Sequence, residues 1–145
     1  MRAAPQLLVV DDNPADVVLV REALAGSAHH PEISNVEDGE EAWTFLNRGK
    51  KYMNALRPDL IILDLNLPKK HGQAVLADIK STPDLCRIPV VIFSTSQARQ
   101  DIVRSYELGA NCYVSKPGNL TDFFSAIQSI EKFWLNFVNL PPRGE

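Results

Sequence analysis

Leu60-Ile61-Ile62-Leu63-Asp64 sets four consecutive apolar residues directly against a carboxylate. A run that is apolar at every position, not at alternate ones, suits a strand covered on both faces, as in a parallel sheet. Two similar runs occur elsewhere. Leu7-Leu8-Val9-Val10 is closed by Asp11-Asp12, and Val90-Val91-Ile92-Phe93 is closed by Ser94-Thr95. A weaker strand is expected over residues 32–36, ending near Val36. A fifth is expected over residues 111–115, followed by Lys116-Pro117.

The intervening segments have helical spacing. Asp12-Asn13-Pro14 reads as a helix start, with Pro14 in the first turn and Asp12 offered as the cap. Val17, Val20 and Leu24 mark its inner face, and Gly26 ends it. Asp38 precedes a second helix bearing Ala42, Trp43 and Leu46, closed near Gly49. A third spans residues 72–80 with Val75, Leu76 and Ile79. A fourth spans residues 100–108, holding Ile102, Val103 and Tyr106, with Gly109 as the stop. The last spans residues 120–137 with Phe123, Ile127, Ile130 and Trp134 toward the sheet. Five β-α units with right-handed crossovers predict a single α/β domain, a doubly wound parallel sheet with helices on both faces.

The 145 residues are 45% apolar and 23% charged, which is ordinary globular composition. A net charge of -3 argues against non-specific binding to nucleic acid or to an anionic membrane, since both need a basic face. Apolar runs stop at four or five residues, far short of the roughly 20 of a spanning helix, and no signal-type stretch opens the chain. A cytoplasmic location is expected. Cys86 and Cys112 fit neither a disulfide framework nor a zinc site and read as reduced thiols. Residues 1–140 read as the domain, and residues 141–145, Pro-Pro-Arg-Gly-Glu, as a flexible tail.

In such sheets ligands sit outside the carboxyl ends of the strands. Those ends carry Asp11, Asp12, Asp64, Ser94, Thr95 and Lys116. Three carboxylates in one crevice raise one another's pKa unless a cation joins them. A hard divalent ion, Mg²⁺ above all, answers that need. Metal, carboxylate nucleophile, ammonium and hydroxyl together suit phosphoryl transfer through an acyl phosphate. Singly, each residue has a plainer role as helix cap, turn residue or solvated lysine. Their joint occurrence at four strand ends favours a site.

With these residues in view, the chain resembles the receiver domains of two-component response regulators over about residues 6–134. The likeness rests on Asp11-Asp12, on Asp64-Leu65-Asn66-Leu67-Pro68 leading to Gly72, on Pro89 through Ser94-Thr95, and on Gly109-Ala110, Tyr113 and Lys116-Pro117. It implies a flavodoxin-like (βα)5 sheet of strand order 2-1-3-4-5. It implies that Asp64 accepts a phosphoryl group from a sensor histidine kinase. Asp12, Asp64 and the Asn66 carbonyl would bind Mg²⁺, with Asp11 holding a metal-bound water. Ser94, the Thr95 amide and Lys116 would hold phosphoryl oxygens, and Ser94 with Tyr113 would form the switch. Ser94 stands where many members have threonine, which keeps the hydroxyl. Residues 66–72, the Thr82-Pro83-Asp84-Leu85 loop and Glu131-Lys132-Phe133-Trp134 further resemble single-domain regulators paired with bacterial phytochromes.

Other features fit this frame. His71 falls in a turn, a poor setting for a relay histidine, and His29 and His30 read as solvent-facing. Lys50-Lys51, Lys69-Lys70 and Arg87 are scattered and form no nucleic-acid face. With no appended DNA-binding module expected, output would pass through protein contacts, or the protein would act as a phosphate reservoir. A metal-dependent phosphohydrolase is the competing reading, but Asn66 stands where such enzymes place a second Asp. A flavin protein is a third, disfavoured by the acidic crevice. Finally Phe124, Phe133 and Phe137 fall off the inner stripe of the last helix, with Leu135, Val138 and Leu140 beyond the sheet. That second apolar set points to a homodimer through the fourth and fifth helices.

Overall fold

The structure, a computed structural model, describes residues 4–142. Five strands alternate with five helices. The strands are β1 (Gln6–Val10), β2 (Glu32–Val36), β3 (Leu60–Leu63), β4 (Val90–Ser94) and β5 (Cys112–Ser115). The helices are α1 (Pro14–Leu24), α2 (Gly39–Leu46), α3 (Gly72–Ser81), α4 (Arg99–Glu107) and α5 (Leu120–Glu131). All neighbouring strands pair in parallel, in the order β2-β1-β3-β4-β5. The order reverses between β1 and β3, so a crevice opens at their carboxyl ends.

Alternation within each strand divides the core into two layers. Leu8, Val10, Ile61, Leu63, Val90 and Ile92 face α2 and α3. Leu7, Val9, Leu60, Ile62, Val91 and Phe93 face α1 and α5. This explains why the runs are apolar at every position. Each such side chain, fully buried, contributes about 1.5–3 kcal/mol.

Several details depart from the expected elements. Asn13, not Asp12, caps α1, accepting from the amides of Ala15 and Asp16. The outer position frees Asp12 for the crevice. Val103 and Tyr106 lie outward on α4, 43% and 48% exposed, and the one side chain α4 buries is Ser105. Gly109 ends that helix at φ +103°, where its amide donates to the Tyr106 carbonyl and Ala110 donates to Ser105. This is the left-handed cap that glycine adopts at least cost.

The last helix changes character. Residues Lys132–Phe137 form a π-helical turn, in which the Val138 amide reaches the Phe133 carbonyl at 3.0 Å. Leu135 packs back on the α1/α5 layer, as do Trp134 and Phe124, so these three are not free apolar surface. Pro141 and Pro142, read from the sequence as part of a loose tail, line a recess with Arg57, Pro58, Ile88 and Pro89 at the amino ends of β3 and β4. The rest of that tail, residues 143–145, lies outside the described residues. His29 is half-buried, not solvent-facing. Its Nδ1 lies 2.8 Å from Glu131, which also accepts from the Ser27 hydroxyl at 3.1 Å. The pairing ties the end of α5 to the loop after α1.

The loop after β3 closes tightly. The Gly72 amide donates to the Leu65 carbonyl at 2.9 Å, and a Cβ at Gly72 would collide with the Asp64 carbonyl and lie 2.6 Å from Leu65 Cα. Both obstacles are backbone and cannot turn aside. Gly72→Ala is therefore expected to cost about 1–3 kcal/mol, the usual range for overpacking. Urea unfolding monitored by circular dichroism measures it, and an unchanged midpoint would show that the loop relaxes freely.

Candidate functional site

Asp11 and Asp64 end adjacent strands, and the backbone fixes them side by side. The Asp64 amide donates to the Val10 carbonyl at 3.0 Å, and the Asp11 amide to Val36 at 3.1 Å. Asn35 adds a brace from β2: its side-chain amide donates to the carbonyls of Val9 at 2.9 Å and Asp11 at 3.2 Å. Both carboxylates are buried. Asp11 Oδ1 accepts from the Asn13 amide at 2.9 Å, and Asp64 Oδ1 from the Asn66 amide at 3.3 Å.

Lys116 arrives from the far side, past the end of β4. Its amide donates to the Ser94 carbonyl at 2.8 Å, and its ammonium passes over the Phe93 ring at 5.9 Å. Its Nζ then donates to Asp11 at 2.8 Å, to Asp64 at 2.9 Å and to Asp16 at 2.8 Å. Asp12 sits exposed at the rim, yet Asp11, Asp12 and Asp64 can bring one oxygen each within 4.8 Å of one another. An all-carboxylate donor set of this kind suits a hard divalent cation.

Ser94 is fully buried at the end of β4, and its hydroxyl accepts from the Ser96 amide at 3.3 Å. Thr95 and Asn66 lie exposed at the rim. Tyr113 is half-buried against the α2/α3 layer, and its hydroxyl donates to the Ser96 carbonyl at 2.9 Å. The Ser96 hydroxyl in turn donates to Asp101 of α4 at 2.6 Å. Ser94 and Tyr113 are thus joined through one residue, Ser96. His71 caps α3, its ring nitrogen accepting from the Gln73 amide at 3.2 Å, and stands apart from this network.

Asp16 was not singled out in the sequence. The signal was present: an acid in the first turn of α1, one helical turn beyond the Asp11-Asp12 pair. Such a residue has a sufficient plain explanation as a partner for the helix dipole.

Burial dominates the electrostatics. It pushes the Asp11 carboxyl above the usual carboxylate range, and the nearby Asp64 charge adds to this. Hydrogen bonds from Lys116 and the Asn13 amide offset only part of the effect. Burial alone would lower the Lys116 pKa, but its bonds to Asp11, Asp16 and Asp64 outweigh it and hold the ammonium above the usual lysine range. The Lys116–Asp11 attraction is therefore real, while Asp11 itself still loses more by burial than it gains.

The sequence matches the response regulator receiver domain family over residues 7–128, and the chain belongs to that family. It is a signalling receiver of the two-component type, related to the phytochrome response regulators. Response regulator Rcp1 of Synechocystis sp. is 50% identical over 135 residues, covering 93% of this chain and 92% of that protein. The phosphorylated cyanobacterial phytochrome response regulator RcpA superposes with a TM-score of 0.94 at 51% identity, covering 97% of this chain and all of that one. The Mn²⁺-bound form of Rcp1 superposes with a TM-score of 0.92 at 49% identity, covering 95% and 99%. No helix among the described residues is long and apolar enough to cross a membrane.

A group whose folded pKa is raised stabilises the fold below its unfolded pKa, and that stability is lost as pH rises through the folded pKa. Ionised Asp11 therefore costs stability at neutral pH. In metal-free protein, Asp11→Asn should raise the urea midpoint at pH 7, with the gain fading on acidification. Lys116→Met, which leaves carboxylates facing one another unpaired, should instead cost about 3–5 kcal/mol at pH 7. A destabilised Asp11→Asn protein at pH 7 would mean that the Lys116 pairing outweighs burial.

Proposed function

We propose that this protein is a phosphoacceptor response regulator in which Asp64 takes a phosphoryl group from a sensor histidine kinase. The observation that carries the reading is the Lys116 ammonium, bonded at once to Asp64 and to Asp11 beside a trio of carboxylates that can share one ion. An Asp64 oxygen attacks phosphorus as the P–N bond of a kinase phosphohistidine breaks, and the histidine nitrogen keeps the bonding electron pair. Asp11, Asp12 and Asp64, with the Asn66 carbonyl, would hold Mg²⁺, which when bound supplies charge neutralisation at the reacting oxygens. Lys116 stabilises negative charge on the phosphoryl group, and Ser94 and the Thr95 amide donate to its remaining oxygens. The protein thereby catalyses its own phosphotransfer and hydrolysis but turns over no separate substrate. The Asn66 amide is too weak an acid to protonate a leaving group, which disfavours the phosphohydrolase reading.

Kinship with the phytochrome response regulator RcpA supports a bacteriophytochrome as the kinase, and we place the exchange in the cytoplasm. Phosphorylation then shifts a two-state equilibrium, with Ser94 and Tyr113 as the switch and residues 1–140 as the unit that changes. Output passes through protein contact, including a homodimer across α4, β5 and α5. Phe133 and Phe137 stack at 5.8 Å and stand 47% and 79% exposed, and Val103 and Tyr106 are exposed on α4. Phe124, half-buried against the core, contributes less to this surface.

Asp64→Asn should abolish labelling by acetyl phosphate or kinase in the presence of Mg²⁺, and full labelling of the variant would remove the proposal. Light scattering coupled to size exclusion should show a dimer at micromolar concentration, weakened at least tenfold by Phe133→Asp, roughly the loss of one well-packed aromatic anchor. A wild-type protein that stays monomeric with and without beryllofluoride would sink the dimer while leaving Asp64 untouched.

A further inference from the structure

Asp16 occupies the third position of α1, where an acid ordinarily reaches back to the amide of the cap residue. Here that amide is already taken: Asn13 N–H donates to Asp11 at 2.9 Å. The Asp16 amide is itself capped by the Asn13 side chain at 3.3 Å. The Asp16 carboxylate has turned instead into the crevice and accepts from Lys116 Nζ at 2.8 Å. An ammonium has three N–H groups. Asp11, Asp16 and Asp64 take all three.

The three partners are not equivalent. Asp11 and Asp64 belong to the trio that can share a cation, and Asp16 does not. Asp16 is also the most exposed of them, with a side chain 19% accessible against 7% for Asp11 and 10% for Asp64. Water can replace the Lys116 bond to Asp16 more readily than the other two. A phosphoryl group carried on Asp64 brings several new acceptor oxygens to an ammonium that has no N–H to spare.

We propose that Asp16 is a positioning residue: it holds Lys116 on the α1 side of the crevice and competes with phosphoryl oxygens for its ammonium. The proposal rests on the phosphoacceptor reading of Asp64. Asp16 thus weakens the phosphorylated state through Lys116, without touching the phosphoryl group.

The test is beryllofluoride binding to the full chain at saturating Mg²⁺, followed by isothermal titration. Asp16→Asn keeps the shape of the side chain and removes its charge. It should bind roughly three- to tenfold more tightly than wild type, the scale of one charge-assisted hydrogen bond partly shared with water. Asp16→Glu should fall back toward wild type. In a Lys116→Met background, Asp16→Asn should change the affinity less than twofold. An equal gain in both backgrounds would show that Asp16 acts only through its field and would overturn the proposal, as would weaker binding by Asp16→Asn. If wild type binds beryllofluoride and Asp16→Asn gains nothing, this proposal alone fails. If wild type does not bind at all, the phosphoacceptor reading fails first.

Discussion

One buried ammonium holds the carboxyl-terminal edge of this sheet together. Lys116 comes from beyond β5, yet it bonds carboxylates at the end of β1, the end of β3 and the start of α1. Without a cation there, buried Asp11 and Asp64 would repel across the switch point. The strand order places β1 and β3 side by side, so parallel pairing itself creates the charge problem that Lys116 answers. Fold and site are therefore a single constraint seen at two scales.

That constraint is unevenly written in the sequence. The three central strands were legible because burial on both faces demands apolar residues at every position, and their four- or five-residue length suits a strand better than a helix. The site was legible because topology sends every strand end to one side, so Asp11, Asp64, Ser94 and Lys116 could be gathered without coordinates. Asp12 shows the limit: its plainer reading as the cap of α1 fails, since Asn13, one residue on, performs that role with its own side-chain oxygen. Asp16 was invisible for a related reason. An acid in a first helical turn has a local explanation, and local explanations hide long-range partners.

The helices show the same limit. The spacing of Ile102, Val103 and Tyr106 marks a stripe on α4, but Val103 and Tyr106 lie outward. Periodicity reports that a stripe exists, not which neighbour it meets. At the chain's end the apolar residues divide: Trp134 and Leu135 return to the core while Phe133 and Phe137 remain outside. The π-helical turn makes that division by resetting the angle between successive residues, which no pattern of residue types announces.

The single buried side chain of α4 has a consequence for how this molecule opens. Local stability follows local burial, so amides in α4 should exchange with solvent well before those of α1 or α5. This is also the helix whose first turn is reached through the Tyr113–Ser96–Asp101 hydrogen bonds. Hydrogen bonds thus run from the end of β4, beside the charged pocket, to the helix that buries only one side chain. A helix held by so little buried surface needs only a modest free-energy change to shift its occupancy.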